Sequence, residues 1–400
     1  MCPRRFDALT SIGFPAALLV GLAGCDVRSE AVQFSVLDSA GVTIAESTGP
    51  AWEAGDGWIV ESTPVLDLSR TGSGSAHDFF RVTDADRLTD GSIVVADDGS
   101  DEVRVFSPSG EHVWSAGRDG SGPGEFRRLA QTVVLPGDSV LAYDPSAGRA
   151  TLFDSDGALA RIVTFEGPDL PRQLHPVFEG LYMGPASSGL AFDGVAGLRR
   201  PEDKVVSLGS DGGGRDTVAT LPGAEILFFE QGATPPTWGK RGHLAVRDQE
   251  VYVGSADSVE FRVLGIDGHL RKIVRVAGYD LALTRAEVDS ELLAWYPDSI
   301  ELGALGRGAR DAQPNREHRP AYASLVVDRL GYTWLQRFEA RHEAGSPTKW
   351  LIFDTSGRWL GHLHLPPGFE VFRIGDDWIL GKGVDEFDVE HVQVLSLIRD

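Results

Sequence analysis

The chain has 400 residues, of which 42% are hydrophobic and 24% are charged, so it can fill a core and is not disordered by composition. Its net charge of −22 argues against nucleic acid and anionic membrane surfaces as partners, because both require patches of lysine and arginine. The charge permits cations or basic partners, although solubility alone also accounts for it.

The N-terminus has the pattern of an export signal. A basic pair, Arg4 and Arg5, precedes a mostly apolar stretch that ends at Ala23 and is short for a membrane span. The stretch runs into L-A-G-C at Cys25, which resembles the bacterial lipobox, where the cysteine receives lipid. We predict a signal peptide over residues 1–24 and an anchor linker over 25–31; an ordinary secretory signal with a chance cysteine is the alternative.

Lipid on Cys25 would hold the mature protein at the membrane of the cell envelope, on the periplasmic side. Asp26 resembles an inner-membrane retention signal and slightly favours that membrane. The other cysteine, Cys2, falls within the signal, so the mature chain would carry no internal disulfide and no free cysteine nucleophile.

Two hairpin signatures alternate after residue 60. The first is an apolar run, a turn with Gly or Asp, and a β-rich run. It occurs at Leu88–Asp97, Leu135–Asp144, Phe178–Gly184, Val246–Gly254, Val327–Leu335 and Ile374–Gly381. The second is an apolar residue, three turn residues and a glycine. It occurs at Phe106–Gly110, Phe153–Gly157, Leu208–Gly212, Leu264–Gly268 and Phe353–Gly357.

One hairpin of each kind makes a four-stranded sheet, so the pattern predicts six sheets. The last sheet lacks a fourth strand, and the segment Pro64–Ser69 is predicted to supply it and to close a ring. The earlier hairpin Val32–Ala45 could compete for that closing position or pack outside.

Two glycine-rich loops, Arg70–Phe79 and Arg118–Phe126, superficially resemble phosphate cradles. Neither continues as G-K-S/T into a helix, and both precede strands, which excludes a P-loop. We interpret them as tight crossings between neighbouring sheets.

The motifs G-x-G-P-G-E-F, D-G-x-I-V-V-A-D, F-x-x-x-G and D-S-A-G-V-T-I together resemble the NHL-like six-bladed β-propellers, and more closely the predicted propeller lipoproteins of environmental bacteria. The resemblance covers about residues 32–400. It implies an all-β six-bladed propeller of four-stranded blades closed by an N-terminal strand, and it says little about activity, because propellers host binding and catalysis alike.

Two segments exceed the repeat. Within residues 276–320, the capping box of Thr284 and Glu287 and the stop at Pro297 predict a short helix between blades four and five. It could be a lid, although a packed surface appendage is favoured, and Gly306–Pro320 is predicted to be a loop. Within residues 186–240, the apolar run Ile226–Phe229 is either an exposed partner patch or, as we favour, a core strand of the neighbouring blade.

Ten histidines are scattered along the chain, and His362 and His364 would share one face of a strand. No nearby spacing supplies a third metal ligand, so surface positions are favoured for both. The chain has no G-x-S-x-G elbow, and we predict no catalytic residue.

Aspartates gather after the second strands of the predicted blades, at Asp97, Asp98, Asp101, Asp144 and Asp257. These loops reach one face of a propeller, where converging oxygens could hold Ca²⁺. Six-bladed calcium-dependent lactonases and gluconolactonase-like hydrolases bind calcium in the central channel, but their Glu and Asn ligand pattern is not recognisable here. Turn chemistry already explains most of these aspartates.

The sequence therefore favours a membrane-tethered scaffold that binds a protein or a small-molecule ligand without catalysis and requires no cofactor. The alternative is a calcium-dependent hydrolase with its site in the central channel.

The anchor prediction can be checked with a Cys25→Ala variant. Without the thiol no lipid can be attached, so fractionation should move the protein from membranes to the soluble fraction. A variant that stays membrane-bound contradicts the anchor.

Overall fold

The computed structural model describes residues 33–53, 55–167, 170–177, 181–187, 189, 193–298 and 302–399, and within them the chain is almost entirely β-structure with two α-helices. Cys25 and the residues of the predicted signal and linker lie outside this part. Four short strands come first. They are β1 (Phe34–Ser39), β2 (Val42–Ser47), β3 (Ile59–Val60) and β4 (Leu66–Asp67).

Sheets I and II each consist of four antiparallel strands in chain order. Sheet I contains β5 (Val82–Arg87), β6 (Ile93–Asp97), β7 (Glu102–Phe106) and β8 (His112–Ala116). Sheet II contains β9 (Gln131–Val134), β10 (Val140–Asp144), β11 (Arg149–Phe153) and β12 (Leu159–Thr164). The first hairpin signature joins the first two strands of each sheet, and the second signature joins the last two.

The next sheet is interrupted by a smaller one. Sheet III contains β13 (His175–Pro176), β14 (Leu181–Ser187), β16 (Glu202–Gly209) and β17 (Arg215–Pro222). A separate three-stranded sheet contains β15 (Gly197–Arg199), β18 (Ile226–Phe229) and β19 (Gly232–Thr234). Of the hairpin predicted at Phe178–Gly184, residues 178–180 lie outside the described part.

Three further sheets complete the series, and the two helices lie between sheets IV and V. Sheet IV contains β20 (His243–Arg247), β21 (Glu250–Gly254), β22 (Glu260–Gly265) and β23 (Leu270–Val276), and α1 (Arg285–Trp295) and α2 (Ala304–Asp311) follow it. Sheet V contains β24 (Ser324–Val327), β25 (Thr333–Gln336), β26 (Thr348–Phe353) and β27 (Trp359–Leu365). Sheet VI contains β28 (Glu370–Ile374), β29 (Trp378–Val384) and β30 (Glu390–Ile398).

Sheet VI is completed by the N-terminal strands. Strand β4 pairs antiparallel with β30, with Leu66 opposite Val394, and β3 pairs with the end of β30, with Ile59 opposite Ile398. The segment Pro64–Ser69, predicted to supply the missing strand, therefore contributes Leu66–Asp67 to this sheet.

The β1–β2 hairpin lies elsewhere. Strand β2 pairs in parallel with β23, with Ala45 opposite Val274, so the hairpin extends the outer edge of sheet IV. Of the two positions considered for this hairpin, the outside one is observed.

Apolar side chains are buried between consecutive sheets. One cluster lies between each successive pair of sheets from I to VI, for example around Phe126 between sheets I and II. A further cluster joins the two ends of the series. In it Leu68 packs with Phe79 and Val82 of the first sheet region and with Trp378 and Val394 of the last.

The glycine-rich loop Arg118–Phe126 closes on its own glutamate. The N–H of Gly122 and the guanidinium of Arg118 each donate to the Glu125 carboxylate at 2.7 Å. Gly120 adopts φ 151°, and a Cβ there would stand 2.1 Å from Glu125 Oε2. The loop therefore binds the carboxylate of its own Glu125, which agrees with its interpretation as a crossing between sheets.

The predicted helix is confirmed as α1. Thr284 caps it, and its side chain and that of Glu287 form the predicted capping box. The Glu291 side chain, almost fully buried, accepts hydrogen bonds from Trp295 Nε1 at 2.8 Å and from His342. The helix is thus fixed to the loop between β25 and β26.

Two other predictions for the inserts are wrong. The stretch Gly306–Pro320 was expected to be a loop, but α2 covers its first residues, because Ala309 packs against Phe229 and Tyr296 and outweighs the low helix propensity of two glycines. The run Ile226–Phe229 is largely buried, yet it forms β18 of the small sheet rather than a core strand of a neighbouring four-stranded sheet. Neither helix is long and apolar enough to span a membrane, in the part of the chain described.

We expect the join between the ends of the chain to carry global stability. Leu68 is fully buried, whereas Val65, three residues earlier, is 64% exposed. Leu68→Ala should lower the free energy of unfolding by about 2–5 kcal/mol, and Val65→Ala should change it by less than about 0.5 kcal/mol. Urea titration followed by tryptophan fluorescence measures both; equal midpoints would show that the join is dispensable.

Candidate functional site

The aspartates predicted to face a channel are held by hydrogen bonds and ion pairs within the fold. Asp97 ends β6, and its carboxylate accepts hydrogen bonds from the N–H groups of Phe80, Gly99 and Ser100. Arg104 forms an ion pair with it at 3.4 Å. Burial raises the pKa of Asp97, and the Arg104 charge opposes that shift.

Asp144, at the end of β10, is buried in the same way. Its carboxylate accepts from the N–H of Arg127 at 2.8 Å and from that of Ala147 at 2.9 Å. Asp98 accepts from the N–H of Leu129 at 2.9 Å and pairs with Arg81 at 3.0 Å. Both carboxylates tie sheet I or sheet II to the crossing that separates them.

Asp257, beyond β21, forms ion pairs with Arg200 at 2.9 Å and Lys240 at 3.0 Å. Although burial opposes it, hydrogen bonds from Ser255 and Lys240 hold the pKa of Asp257 below its usual range. Among the described residues, no three His, Cys, Asp or Glu side chains are grouped closely enough to hold a metal ion. The four candidates thus have partners within the fold, and in the described part of the chain they do not form a group that could hold a metal ion.

The two histidines of β27 lie in different environments. His364 is exposed, whereas His362 is half-buried and packs against Trp359 with ring centroids 5.2 Å apart. Burial, with the nearby Lys349 charge, lowers the pKa of His362 to about 4.

The structure instead presents a central cavity of about 1370 Å³. The first strand of every four-stranded sheet contributes to its wall, namely β5, β9, β13, β20, β24 and β28. Lining residues come from the beginnings and the ends of these strands, so the cavity runs along their length. Its size exceeds that of ordinary small-molecule sites, which are about 300–1,000 Å³.

A guanidinium in this wall joins three sheets. Arg373 of β28 donates to Asp84 Oδ1 and Oδ2 of β5 at 3.0 and 3.1 Å, to Asp86 at 3.1 Å and to the carbonyl of Thr132 in β9 at 3.3 Å. A register shift lies beside Asp84 in β5 and another beside Arg373 in β28. Such bulges re-aim side chains, which accounts for charged groups meeting at strands that otherwise bury apolar residues.

Different effects shift the pKa values of Asp84 and Arg373. Burial raises the pKa of Asp84 to about 6, and the Arg373 charge opposes this shift. The two carboxylates in turn raise the pKa of Arg373, so it stays charged. Arg329 also pairs with Asp86 at 3.6 Å, so two guanidinium groups balance the two carboxylates.

Two histidines line the cavity in uncharged form. Burial lowers the pKa of His175 to about 4 and that of His243 to about 3, with help from neighbouring arginine charges. Nε2 of each is buried and has no hydrogen-bond partner among the described residues. An unmatched buried polar atom costs about 1–3 kcal/mol, which a ligand group could recover.

None of these cavity residues was singled out from the sequence. A signal was available, because Asp84, Asp86 and Arg373 sit inside short runs that must form innermost strands, where charge is unusual. Their convergence depends on bulges and on contacts over nearly 300 residues, which no local pattern reports.

No family model matches the chain, and no curated protein matches its sequence significantly. Solved structures do match, and these neighbours are β-propeller-like proteins. A member of the DUF4221 family from Bacteroides vulgatus is 9% identical over 86% of this chain and 99% of that chain, with a TM-score of 0.53. This likeness shows the fold alone.

Two further solved structures cover the same share of the chain with lower TM-scores. A putative exported protein from Bacteroides fragilis is 12% identical over 86% of this chain and 95% of that chain, with a TM-score of 0.49. Virginiamycin B lyase from Staphylococcus aureus is 9% identical over 86% of this chain and 100% of that chain, with a TM-score of 0.43.

We expect the free energy of unfolding to depend on pH when the Arg373–Asp84 pair is broken. Arg373→Leu leaves a buried carboxyl, whose pKa burial already raises to about 6 when Arg373 is present. Protonation therefore favours the folded state below about pH 6, and this benefit disappears as the pH rises through that value. The variant should lose about 3–5 kcal/mol of stability near neutrality and less at about pH 5.

Urea unfolding at the two pH values measures the effect. The double variant Asp84→Asn/Arg373→Leu is the control, because it has no buried carboxyl at this position. Its loss of stability should be the same at both pH values. An equal loss at both pH values in the single variant would show that Asp84 bears no uncompensated charge.

Proposed function

We propose that the six four-stranded sheets are the blades of a six-bladed β-propeller, with β4 as the strand that closes the ring. Two observations support this arrangement. Apolar clusters lie between all consecutive sheets and also between sheet VI and sheet I, and one cavity touches the first strand of all six. The NHL-like sequence motifs agree with the same arrangement.

We further propose that the propeller is tethered at the periplasmic side of the cell envelope by lipid on Cys25. The support is the L-A-G-C motif behind an apolar segment. Asp26 favours the inner membrane within this proposal.

The function that the site supports best is non-catalytic binding of a ligand in the central cavity. The observation that carries it is a large cavity with two neutral imidazoles whose buried Nε2 atoms have no described partner. Concave sites with a few unmatched polar groups are typical of ligand pockets.

The alternative is a calcium-dependent hydrolase acting in the channel. Asp97, Asp98, Asp144 and Asp257 would have to exchange turn hydrogen bonds or ion pairs for a metal ion. No specific contact favours this alternative. Calorimetric titration with Ca²⁺, together with turnover assays on lactones and esters, tests it: tight binding with turnover would replace the binding function by the hydrolase.

The binding function predicts that filling the cavity removes the ligand. Ala130 lines the cavity just before β9, whereas Ala158 is exposed in the turn between β11 and β12 of the same sheet. The mature protein should capture a small molecule from an envelope extract, as seen by native mass spectrometry. Ala130→Trp should lose that ligand, because the indole occupies its space.

Ala158→Trp is the matched control and should retain the ligand. Circular dichroism checks that both variants are folded. Retention of the ligand by a folded Ala130→Trp protein, or failure of the unmodified protein to retain one, contradicts binding in the cavity.

A further inference from the structure

Three arginines stand at one end of the central cavity. Arg128 precedes β9 by three residues, Arg172 precedes β13 by three, and Arg241 precedes β20 by two. They occupy corresponding positions in sheets II, III and IV, and all three line the cavity and are exposed. We call this set the arginine mouth.

The ends of neighbouring first strands are tied together here. Gln131, the first residue of β9, donates to the carbonyl of Leu174 at 3.0 Å and accepts from its N–H at 2.7 Å. Leu174 directly precedes β13. The crossings that carry Arg128 and Arg172 are therefore held side by side.

The side chains of the arginine mouth have no ion pair or hydrogen bond with any described residue. Arginines at comparable crossings elsewhere do, since Arg81 pairs with Asp98 and Arg319 pairs with Glu287 and Glu343. With 59 acidic residues against 37 basic ones, the chain has ample carboxylates for such pairs. Three guanidinium groups around one cavity, without a partner among the described residues, thus create a local positive potential in an acidic protein.

The carboxylates that share the cavity do not cancel this potential. Asp84 and Asp86 are bound by Arg373, and Asp328 is bound by Arg399 at 2.8 Å. Asp248 pairs with Arg247 at 3.0 Å and Glu370 with Lys382 at 3.4 Å, whereas Glu339 has a hydrogen bond with Thr348. Oδ1 of Asp203 is buried without a described partner. It is an acceptor for a hydroxyl or ammonium group of a ligand.

The two neutral histidines lie next to the arginine mouth along the chain. His175 and His243 are the first residues of β13 and β20, so each follows its mouth arginine within three positions. His243 is only 9% exposed, and its Nε2 is unmatched. The cavity thus has positively charged groups at its end and neutral hydrogen-bonding groups next to them. This arrangement suits a ligand that has an anionic group at one end.

We infer that the arginine mouth binds the anionic group, a carboxylate or a phosphate, of the ligand that occupies the cavity, an inference that rests on the proposed binding function. Guanidinium groups suit both anions, because their planar N–H pairs match two oxygens at once. The unmatched atoms of His175, His243 and Asp203 would contact the uncharged remainder of the ligand.

The test uses the mature full-length chain and two probes, inorganic phosphate and succinate, titrated separately by calorimetry. The variant Arg128→Gln/Arg172→Gln/Arg241→Gln removes the mouth charges. The control Arg161→Gln/Arg262→Gln/Arg358→Gln removes three exposed arginines that do not line the cavity. Both triple variants lose the same net charge.

We expect Kd for the bound probe to rise about tenfold or more in the mouth variant and to stay unchanged in the control. Which probe binds identifies the anion as phosphate or carboxylate. Equal weakening in both variants would mean general attraction by charge, and unchanged Kd in the mouth variant would mean that these arginines do not bind the anion. Either result overturns the inference, as does the absence of binding of both probes up to about 10 mM.

The native ligand separates this inference from the proposed function. If Ala130→Trp loses the captured molecule while the mouth variant keeps it, the cavity binds a ligand and the anionic contact is wrong. If both variants keep it, the cavity itself is not the binding site.

Discussion

The pairing of β4 with β30 is the interaction on which the rest of the structure depends. Each four-stranded sheet has two faces that need cover, and sheets in the middle of the series receive it from their neighbours. Sheets I and VI have only one neighbour along the chain. The N-terminal segment resolves this, because it adds a strand to sheet VI and inserts Leu68 among side chains of sheets VI and I. The two ends of the chain must therefore be present together for either end sheet to be fully buried.

A second constraint acts at the centre. The first strands cannot pack apolar side chains against each other without filling the cavity, so polar ties hold them instead. Arg373 reaches β5 and β9 from β28, and Gln131 reaches the backbone beside β13. These contacts satisfy their own charges and leave the wall open, which is why the remaining unmatched groups, His175 and His243, stand out. The residues that hold the first strands together are thus different from the residues that are left to bind a ligand, although both sets line the same cavity.

The sequence was most informative where structure is local. Asp154 and Gly157 specify their turn through a side-chain acceptor and a positive φ, and Thr284 with Glu287 specifies the start of α1. Helix α2 was missed because Gly306 and Gly308 argue against a helix and its stability comes from packing on Phe229. The cavity was missed for a related reason. The predicted aspartates follow turn rules that a sequence shows, whereas Asp84 and Arg373 meet only after the ends of the chain are joined.

The β1–β2 hairpin protects a surface as well as extending a sheet. Without it, β23 would be the free edge of sheet IV, with the run L-R-K-I-V-R-V offering unpaired N–H and C=O groups to any passing strand. Proteolytic trimming before residue 48 would leave the six sheets intact and expose that edge. The trimmed protein would then self-associate through β23, so the hairpin prevents aggregation in addition to burying Ala45 in the core between sheets IV and V.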